Sequence, residues 1–268
     1  MQQAAFVQSI DTCNGAIGVR AARHFELTFR HVMQDQGAVA GEGFLRIVTG
    51  EPHPLGNVAV VSDPGSVATT ADAIGPLLDC TFPTAVLYPD GVEDAVARAL
   101  TTAGFESHGA IPAMAVDIER MAATALPSGY EWARIGMGDE ARAWTETLAN
   151  GYGLPPGLAR MFSPEALGAD MTPDAAVQFY AIRRSGRMVA TSFLYLADGL
   201  AGIYCVATLP DERGKGLGAH ATAQALRAAH GLGYGVGVLQ SSDGGHAVYL
   251  RLGFADVGGI PIFMHMPV

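Results

Sequence analysis

Apolar residues recur along this chain at two periods, and the switches between them lay out the elements. In "AARHFELTFRHVMQDQG" Phe25, Phe29 and Val32 fall at helical spacing. "GFLRIVTG" and "GNVAVVSDPG" are short apolar runs closed by turn residues, which predicts strands. "ATTADAIGPLLDC" predicts a helix, "TAVLYPDG" a strand and "VEDAVARALTTAGF" a helix ended by Gly104. A strand-like "AIPAMAVDI" follows. The stretch 119–129, "ERMAATALPSG", breaks the pattern and ends in Pro and Gly, as linkers do.

Beyond it, "YEWARIG" predicts a strand, and "DEARAWTETLANGYG" with "PGLARMFSPEALG" a helical pair. "AVQFYAIRRSGRMVATSFLYLADG" reads as a hairpin turning at Ser185-Gly186. "LAGIYCVATLP" is almost wholly apolar, as a strand buried on both faces is. A glycine-rich turn and an alanine-rich helix come next. Then follow a buried strand "GVGVLQSS", a short helix "GHAVYLRLGF" and a last strand "IPIFMHMPV". The pattern is that of an α/β chain with a mixed sheet.

The two parts echo each other. "GFESHGAIP" (104–112) and "GFADVGGIP" (253–261) match at Gly-Phe, Gly and Ile-Pro without a gap. Each follows an apolar helix and precedes a closing strand. This order suggests a duplication, with domains at 1–125 and 126–268. At the same offset Leu100 stands where Tyr249 stands, and Pro64 and Val67 where Arg213 and Gly216 stand. Only the second copy keeps the glycine-rich motif.

That motif, "PDERGKGLGAHAT" (210–222), sits between a buried strand and a helix. A helix start offers N–H groups without intrahelical partners and a partial positive charge. Glycines let the backbone approach a ligand closely. With Arg213 and Lys215 added, the stretch suits a phosphate, most naturally a pyrophosphate. A solvated surface turn is the plainer reading. Lys215 is followed by Gly216 rather than Ser or Thr, which excludes a P-loop. "GLGAHA" fits the dinucleotide fingerprint G-x-G-x-x-A, but only 50 residues follow Gly218, too few for a long doubly wound sheet.

"VATLPDERGKGLG" resembles the acyl-CoA pyrophosphate loop of the GNAT superfamily of N-acetyltransferases. Arg213, Gly216 and Gly218 stand at its motif positions, and "YLRLGF" resembles the family's later Tyr and Gly-Phe signature. The resemblance covers about residues 130–268. It implies a GNAT-like fold, here in two tandem halves, the second active and the first degenerate. It implies acetyl-CoA as co-substrate. Val206, Ala207 and Thr208, on a strand that splays from its neighbour, would pair with the pantetheine arm. Arg213, Gly214, Lys215, Gly216, Leu217, Gly218 and Ala219 would surround the pyrophosphate. Ser242 stands where many members carry an arm-binding Asn. Tyr249 matches the residue whose hydroxyl lies near the thioester sulfur, where it would act as general acid; packing of its ring in the core is the alternative.

No residue stands out as general base. Tyr204, Cys205 and Thr208 lie on the splayed strand, and Asp243, His246, Asp256 and His265 lie near in sequence. Direct attack by an amine that loses its proton to solvent remains open. The acceptor is expected to be the primary amine of a small molecule or amino-acid-like compound, in a pocket lined by Trp144, Tyr152, Met161, Phe162, Phe263 and His265. A non-catalytic acyl-CoA-binding protein is the competing class.

Composition adds limits. Acids outnumber Lys plus Arg by 26 to 16 in 268 residues, a net charge of −10. No basic stripe supports a nucleic-acid partner. Cys13, Cys80 and Cys205 lack metal-site spacing and read as reduced thiols, so a cytoplasmic protein without metal is expected. "MQQAAFVQSIDTC" shows no signal peptide. No apolar run approaches the roughly 20 residues of a membrane span. Monomer and homodimer are both open.

Overall fold

The computed structural model describes residues 6–13 and 15–267. Residues 1–5, where the leader was sought, and residues 14 and 268, the latter ending the last predicted strand, lie outside the described residues. The first half runs α1 (Ile17–Met33), β1 (Val39–Gly41), β2 (Phe44–Val48), β3 (Asn57–Val61), α2 (Val67–Leu78), β4 (Thr84–Leu87), α3 (Asp94–Thr102) and β5 (Glu106–Asp117). The second runs β6 (Tyr130–Ile135), α4 (Asp139–Tyr152), α5 (Pro156–Met161), α6 (Pro164–Leu167), β7 (Val177–Arg184), β8 (Arg187–Ala197) and β9 (Leu200–Thr208). It continues with α7 (Leu217–Gly231), β10 (Val236–Gln240), α8 (Asp243–Leu252) and β11 (Ala255–His265).

Nearly every predicted element is present. Ser185 and Gly186 turn the β7–β8 hairpin with φ of 50° and 81°, a pairing that matches the twist of the strands. The closing strands differ from expectation. They begin at Glu106 and Ala255 and so contain most of the echoed segments, Gly109, Pro112, Gly258, Gly259 and Pro261 included. The β5–β11 ladder shifts register between Asp256 and Gly258 and again between Pro261 and Phe263, which lets Pro261 sit in the strand without its N–H.

The eleven strands of the described residues form one sheet, in the order β1-β2-β3-β4-β11-β5-β10-β9-β8-β7-β6. The two closing strands have changed places. β5, which ends the first half, pairs with β10 of the second. β11, which ends the second, pairs with β4 of the first. They pair with each other antiparallel, and Ile111 faces Ile260, its own counterpart in the echo. Ala110 faces Pro261 and Pro112 faces Gly259. A local two-fold axis therefore passes through the Ile111–Ile260 pair, with β1 to β4 answered by β7 to β10 on either side. β6 has no counterpart.

Helices cover both faces. On one, α7 and α8 bury Ala223, Leu226 and Leu252 against Leu194, Ile203 and Leu239, while α2 and α3 bury Ile74, Leu77 and Leu100 against Val61 and Val86. On the other, α4 brings Trp144 and Leu148 against Phe179 and Phe193. α1 lies across the middle of that face. Its Phe25 and Phe29 pack on Val58, Val60, Ile260 and Ile262, and its Ile17 and Ala21 on Ala113, Ala115 and Val238. A helix of the first half thus rests on strands of both. Among the described residues, no helix is long and apolar enough to cross a membrane.

Because each half is closed by the other's strand, the chain should unfold as one unit. Ile260 is fully buried at the centre of the exchange. Ile260→Ala should cost about 2–5 kcal/mol and lower a single calorimetric transition. Two resolved transitions, with only one moved, would contradict this coupling.

Candidate functional site

β9 is the strand on which the site depends. It pairs with β10 only at Ala201–Gly237 and Gly202–Val238. Beyond Gly202 the two parallel strands part, and the edge of β9 facing β10 is open. On its other edge β9 stays paired with β8 out to Thr208, across a bulge between Thr191 and Phe193. Cys205 carries the bulge at φ 52°, a conformation that costs a non-glycine residue on the order of 1–3 kcal/mol. The Thr191 hydroxyl donates to the Cys205 carbonyl at 2.8 Å and clamps it. The bulge turns the β9 backbone at the place where the gap begins.

A cavity of about 790 Å³ fills this gap and continues along the start of α7. Of the residues singled out from the sequence, Val206, Ala207, Thr208, Arg213, Gly214, Gly216, Leu217, Gly218, Ala219, Ser242 and Tyr249 all line it. Lys215 does not. Its ammonium turns back onto the Glu212 carboxylate at 2.5 Å. Glu212, only 5% exposed, also accepts from the Tyr130 hydroxyl at 2.5 Å and from Arg184 at 3.2 Å. Bonds from Lys215, then Tyr130, then Arg184 hold its pKa down to about 2. Lys215 is therefore part of the clasp under the loop. Sequence reading placed it by spacing and could not see that a buried carboxylate three residues upstream would claim it.

The loop is set for an anion. Gly216 is the N-cap of α7 at φ +76° and Gly214 sits at +78°, both left-handed. No side chain caps the helix, so its first N–H groups are uncommitted. Arg213 donates to the carbonyls of Gly151 at 2.6 Å and Thr208 at 3.3 Å, joining the end of α4 to the end of β9. Ser242 caps α8 by accepting from Gly245 N–H, so its hydroxyl already has a task at the cavity wall.

Tyr249 lies at the far end, 8% exposed, its ring edge-on to Phe254. Burial pushes its pKa up to about 12. The Thr222 hydroxyl opposes that shift from close by but forms no well-aligned hydrogen bond. The phenol therefore stays protonated at any ordinary pH. Cys205 is raised to about 12 by burial, which removes it as a nucleophile. Several lining residues escaped sequence reading. Tyr152, expected only among acceptor-side residues, reaches this end; burial first, then Tyr249 and Cys205, push its hydroxyl up. Gln240 lines the cavity from β10; its amide donates to the Ala21 carbonyl of α1 at 3.4 Å, and its Oε1 is buried without a partner. The linker residues Ala122, Ala123 and Thr124 form another wall. Contacts 219 residues apart leave no trace in local pattern, so only the fold reveals Gln240. The other acids and histidines near in sequence are occupied elsewhere: His246 pairs with Asp256 at the surface, and His265 packs on Phe105.

Residues 146–254 match the model of the acetyltransferase (GNAT) family. This stretch is similar to a GNAT acetyltransferase domain. No curated protein matches the sequence. Among solved structures, a GCN5-related N-acetyltransferase from Kribbella flavida is 21% identical, with 91% of this chain and 95% of that one covered at a TM-score of 0.65. One from Sphaerobacter thermophilus is 15% identical, covering 87% and 84%, at 0.59. A tandem GNAT protein from the clavulanic acid biosynthesis pathway is 15% identical, covering 81% and 75%, at 0.54. At these identities the likeness establishes the fold. It extends over both halves, whereas the GNAT family model covers the second.

The Glu212 clasp has a pH consequence. A folded pKa below the ordinary carboxylate value, about 4.3, contributes stability above that value, which is lost as pH falls towards 2. Glu212→Gln should lower the melting temperature at neutral pH and flatten its decline between about pH 5 and 2. An acid limb identical to wild type would remove Glu212 from the clasp.

Proposed function

We propose that the protein transfers an acetyl group from acetyl-CoA to the primary amine of a small molecule. The parting of β9 from β10, directly beside an uncapped helix start, carries this reading. An open strand edge offers amides and carbonyls to an extended, amide-containing arm. Uncommitted N–H groups at Leu217 to Ala219, with those of the 213–216 loop, suit a pyrophosphate. Gln240 lines the gap, and its Oε1 is buried there without a partner. The residues present therefore fit the group.

The first half lacks each of these features. Ser66 caps α2 by accepting from Thr69 N–H, and Asp63 accepts from the amides of Gly65 and Ser66. The loop amides are taken, and a carboxylate stands where a phosphate would. β3 and β4 stay paired over almost all of β4. The Tyr88 hydroxyl, bonded to Thr70 at 3.0 Å, is fully buried there. Leu100 replaces the phenol. One acetyl-CoA per chain follows, bound in the second half.

In the reaction the amine nitrogen attacks the thioester carbonyl, the C–N bond forms, and the C–S bond breaks. Tyr249 donates a hydrogen bond to the sulfur as charge builds. With its pKa near 12 against about 8.5 for an ordinary thiol, complete proton transfer is uphill by roughly 5 kcal/mol. The phenol thus stabilises the leaving group chiefly as a donor. That is a narrower part than the general acid expected from the sequence. The one carboxylate lining the cavity, Glu212, is committed to the clasp. No ionised base serves the amine, which must arrive neutral or lose its proton to water.

Acetyl-CoA should raise the melting temperature with a stoichiometry of one. Gly216→Val should abolish the shift, because a branched residue strains at φ +76° and adds bulk to the cavity wall. A normal shift in the variant would count against this cradle. Free-thiol release across a panel of amines tests turnover; binding without acylation of any amine would favour the non-catalytic class.

Tyr249→Phe should lower kcat about 10²-fold, as loss of one donor to a developing anion does, with acetyl-CoA affinity kept. kcat/KM should rise with pH along the pKa of each amine tried. A fixed inflection between pH 6 and 7 for all amines would reveal a base of the enzyme.

A further inference from the structure

The end of α4 is pressed against the strand that borders the gap. A Cβ on Gly151 would stand 2.8 Å from the Ala207 Cβ and 3.3 Å from the Thr208 nitrogen, so a glycine is what lets the helix lie this close. Arg213 of the loop holds the Gly151 carbonyl. Tyr152 follows as the last residue of α4, and Gly153, left-handed at φ 72°, ends the helix. Helix, strand and loop together fix where the Tyr152 side chain starts. That side chain is neither a core residue nor a surface one. Tyr152 is 49% exposed, where a core tyrosine such as Tyr88 is fully buried. Yet burial is the chief cause that pushes its hydroxyl up, so the open surface belongs to the cavity it lines and not to the exterior. Tyr249 and Cys205 are the further causes, and none is a hydrogen bond. A buried phenol ordinarily finds a partner. This one lines a cavity without one.

α4 lies on one face of the sheet and α8, with Tyr249, on the other. A closed sheet would part the two phenols by a layer of backbone. Because β9 and β10 separate after Gly202, both phenols line one cavity and each feels the other's charge. A thioester held between them has two polar atoms, the sulfur and the carbonyl oxygen. Tyr249 is assigned to the sulfur above. The oxygen takes up negative charge when the amine adds, and it needs a donor. Gln240 has spent its amide on the Ala21 carbonyl and has only an acceptor left. Cys205 offers a thiol, a weak donor. Tyr152 offers an uncommitted O–H that stays protonated at any ordinary pH.

We propose that Tyr152 is a second catalytic residue, donating a hydrogen bond to the carbonyl oxygen of the thioester. This rests on the N-acetyltransferase reading above. As the amine lone pair forms the C–N bond, the carbonyl π pair moves onto oxygen, and the Tyr152 hydrogen bond strengthens with that charge. The C=O bond then reforms and the C–S bond breaks. The sulfur leaves with the bonding pair and keeps the Tyr249 hydrogen bond until water protonates it. The surplus proton on nitrogen passes to water. Neither phenol ionises at any step.

Infrared difference spectra of the full chain read this bond directly, using acetyl-CoA labelled with carbon-13 at the acetyl carbonyl and no amine. A donor on the oxygen weakens the C=O bond and lowers its stretching frequency. The bound carbonyl band should therefore move to higher frequency in Tyr152→Phe than in wild type. It should stay in place in Tyr249→Phe, whose partner is the sulfur. Tyr152→Phe keeps the ring and the cavity wall, so acetyl-CoA should raise its melting temperature as it does that of wild type. With butylamine, phenethylamine and glycinamide as acceptors, its kcat should fall about 10²–10³-fold, the scale of one donor to an oxyanion. An unmoved band in Tyr152→Phe, or an undiminished kcat, would overturn the proposal. So would a parallel loss of acetyl-CoA affinity and turnover, which would mark a wall residue only. Wild type that binds acetyl-CoA yet acylates no amine would bring down the transferase reading first, and this catalytic role with it.

Discussion

The antiparallel pairing of β5 with β11 is the constraint on which the rest of the molecule depends. Each strand belongs by sequence to one half and closes the sheet of the other, and they meet about a two-fold axis at Ile111 and Ile260. Halves that each closed with their own strand would form two sheets with four outer edges to cover, where the joined sheet has two, β1 and β6. Here the exchange joins both halves into one sheet of eleven strands and makes burial in either conditional on the other. It also fixes α1 across the centre, where it reaches strands from both copies.

From that placement the asymmetry of function follows. The two halves share element order, yet the site in the second half results from several small local choices. β9 leaves β10 after two pairs, Gly216 starts α7 without a cap, and the Glu212 clasp turns the loop's lysine inward. The first half makes the opposite choice at each position: a continued ladder, a serine cap, an aspartate on the loop amides, and Tyr88 buried against Thr70. Its helix α1 packs across strands of both halves on the face opposite α7.

Much of this was legible in the sequence because it is local. Glycine spacing, the apolar β9, the Tyr and Gly-Phe signature and the Ser185-Gly186 turn all encode backbone states within a few residues. The echo gave the internal symmetry. What it could not give was the exchange, since a β-strand's pairing partner is not written in its own alternation. The same limit hid Gln240, whose anchor lies on α1. Lys215 was placed by motif position, and its side chain went to a charge whose burial only the fold creates. Tyr249 lines the cavity, but the burial that raises its pKa is not something spacing reports.

The central claim is that one acyl-CoA threads the sheet of the second half, with its pyrophosphate on α7 and its acyl end on the face covered by α1. A crystal structure with acetyl-CoA tests it directly. The account expects one molecule per chain, phosphates on the amides of the 213–219 loop, the arm in the gap between β9 and β10, and the thioester beside Tyr249 and Gln240. An arm lying outside that gap, or a molecule seated between β3 and β4, would contradict it.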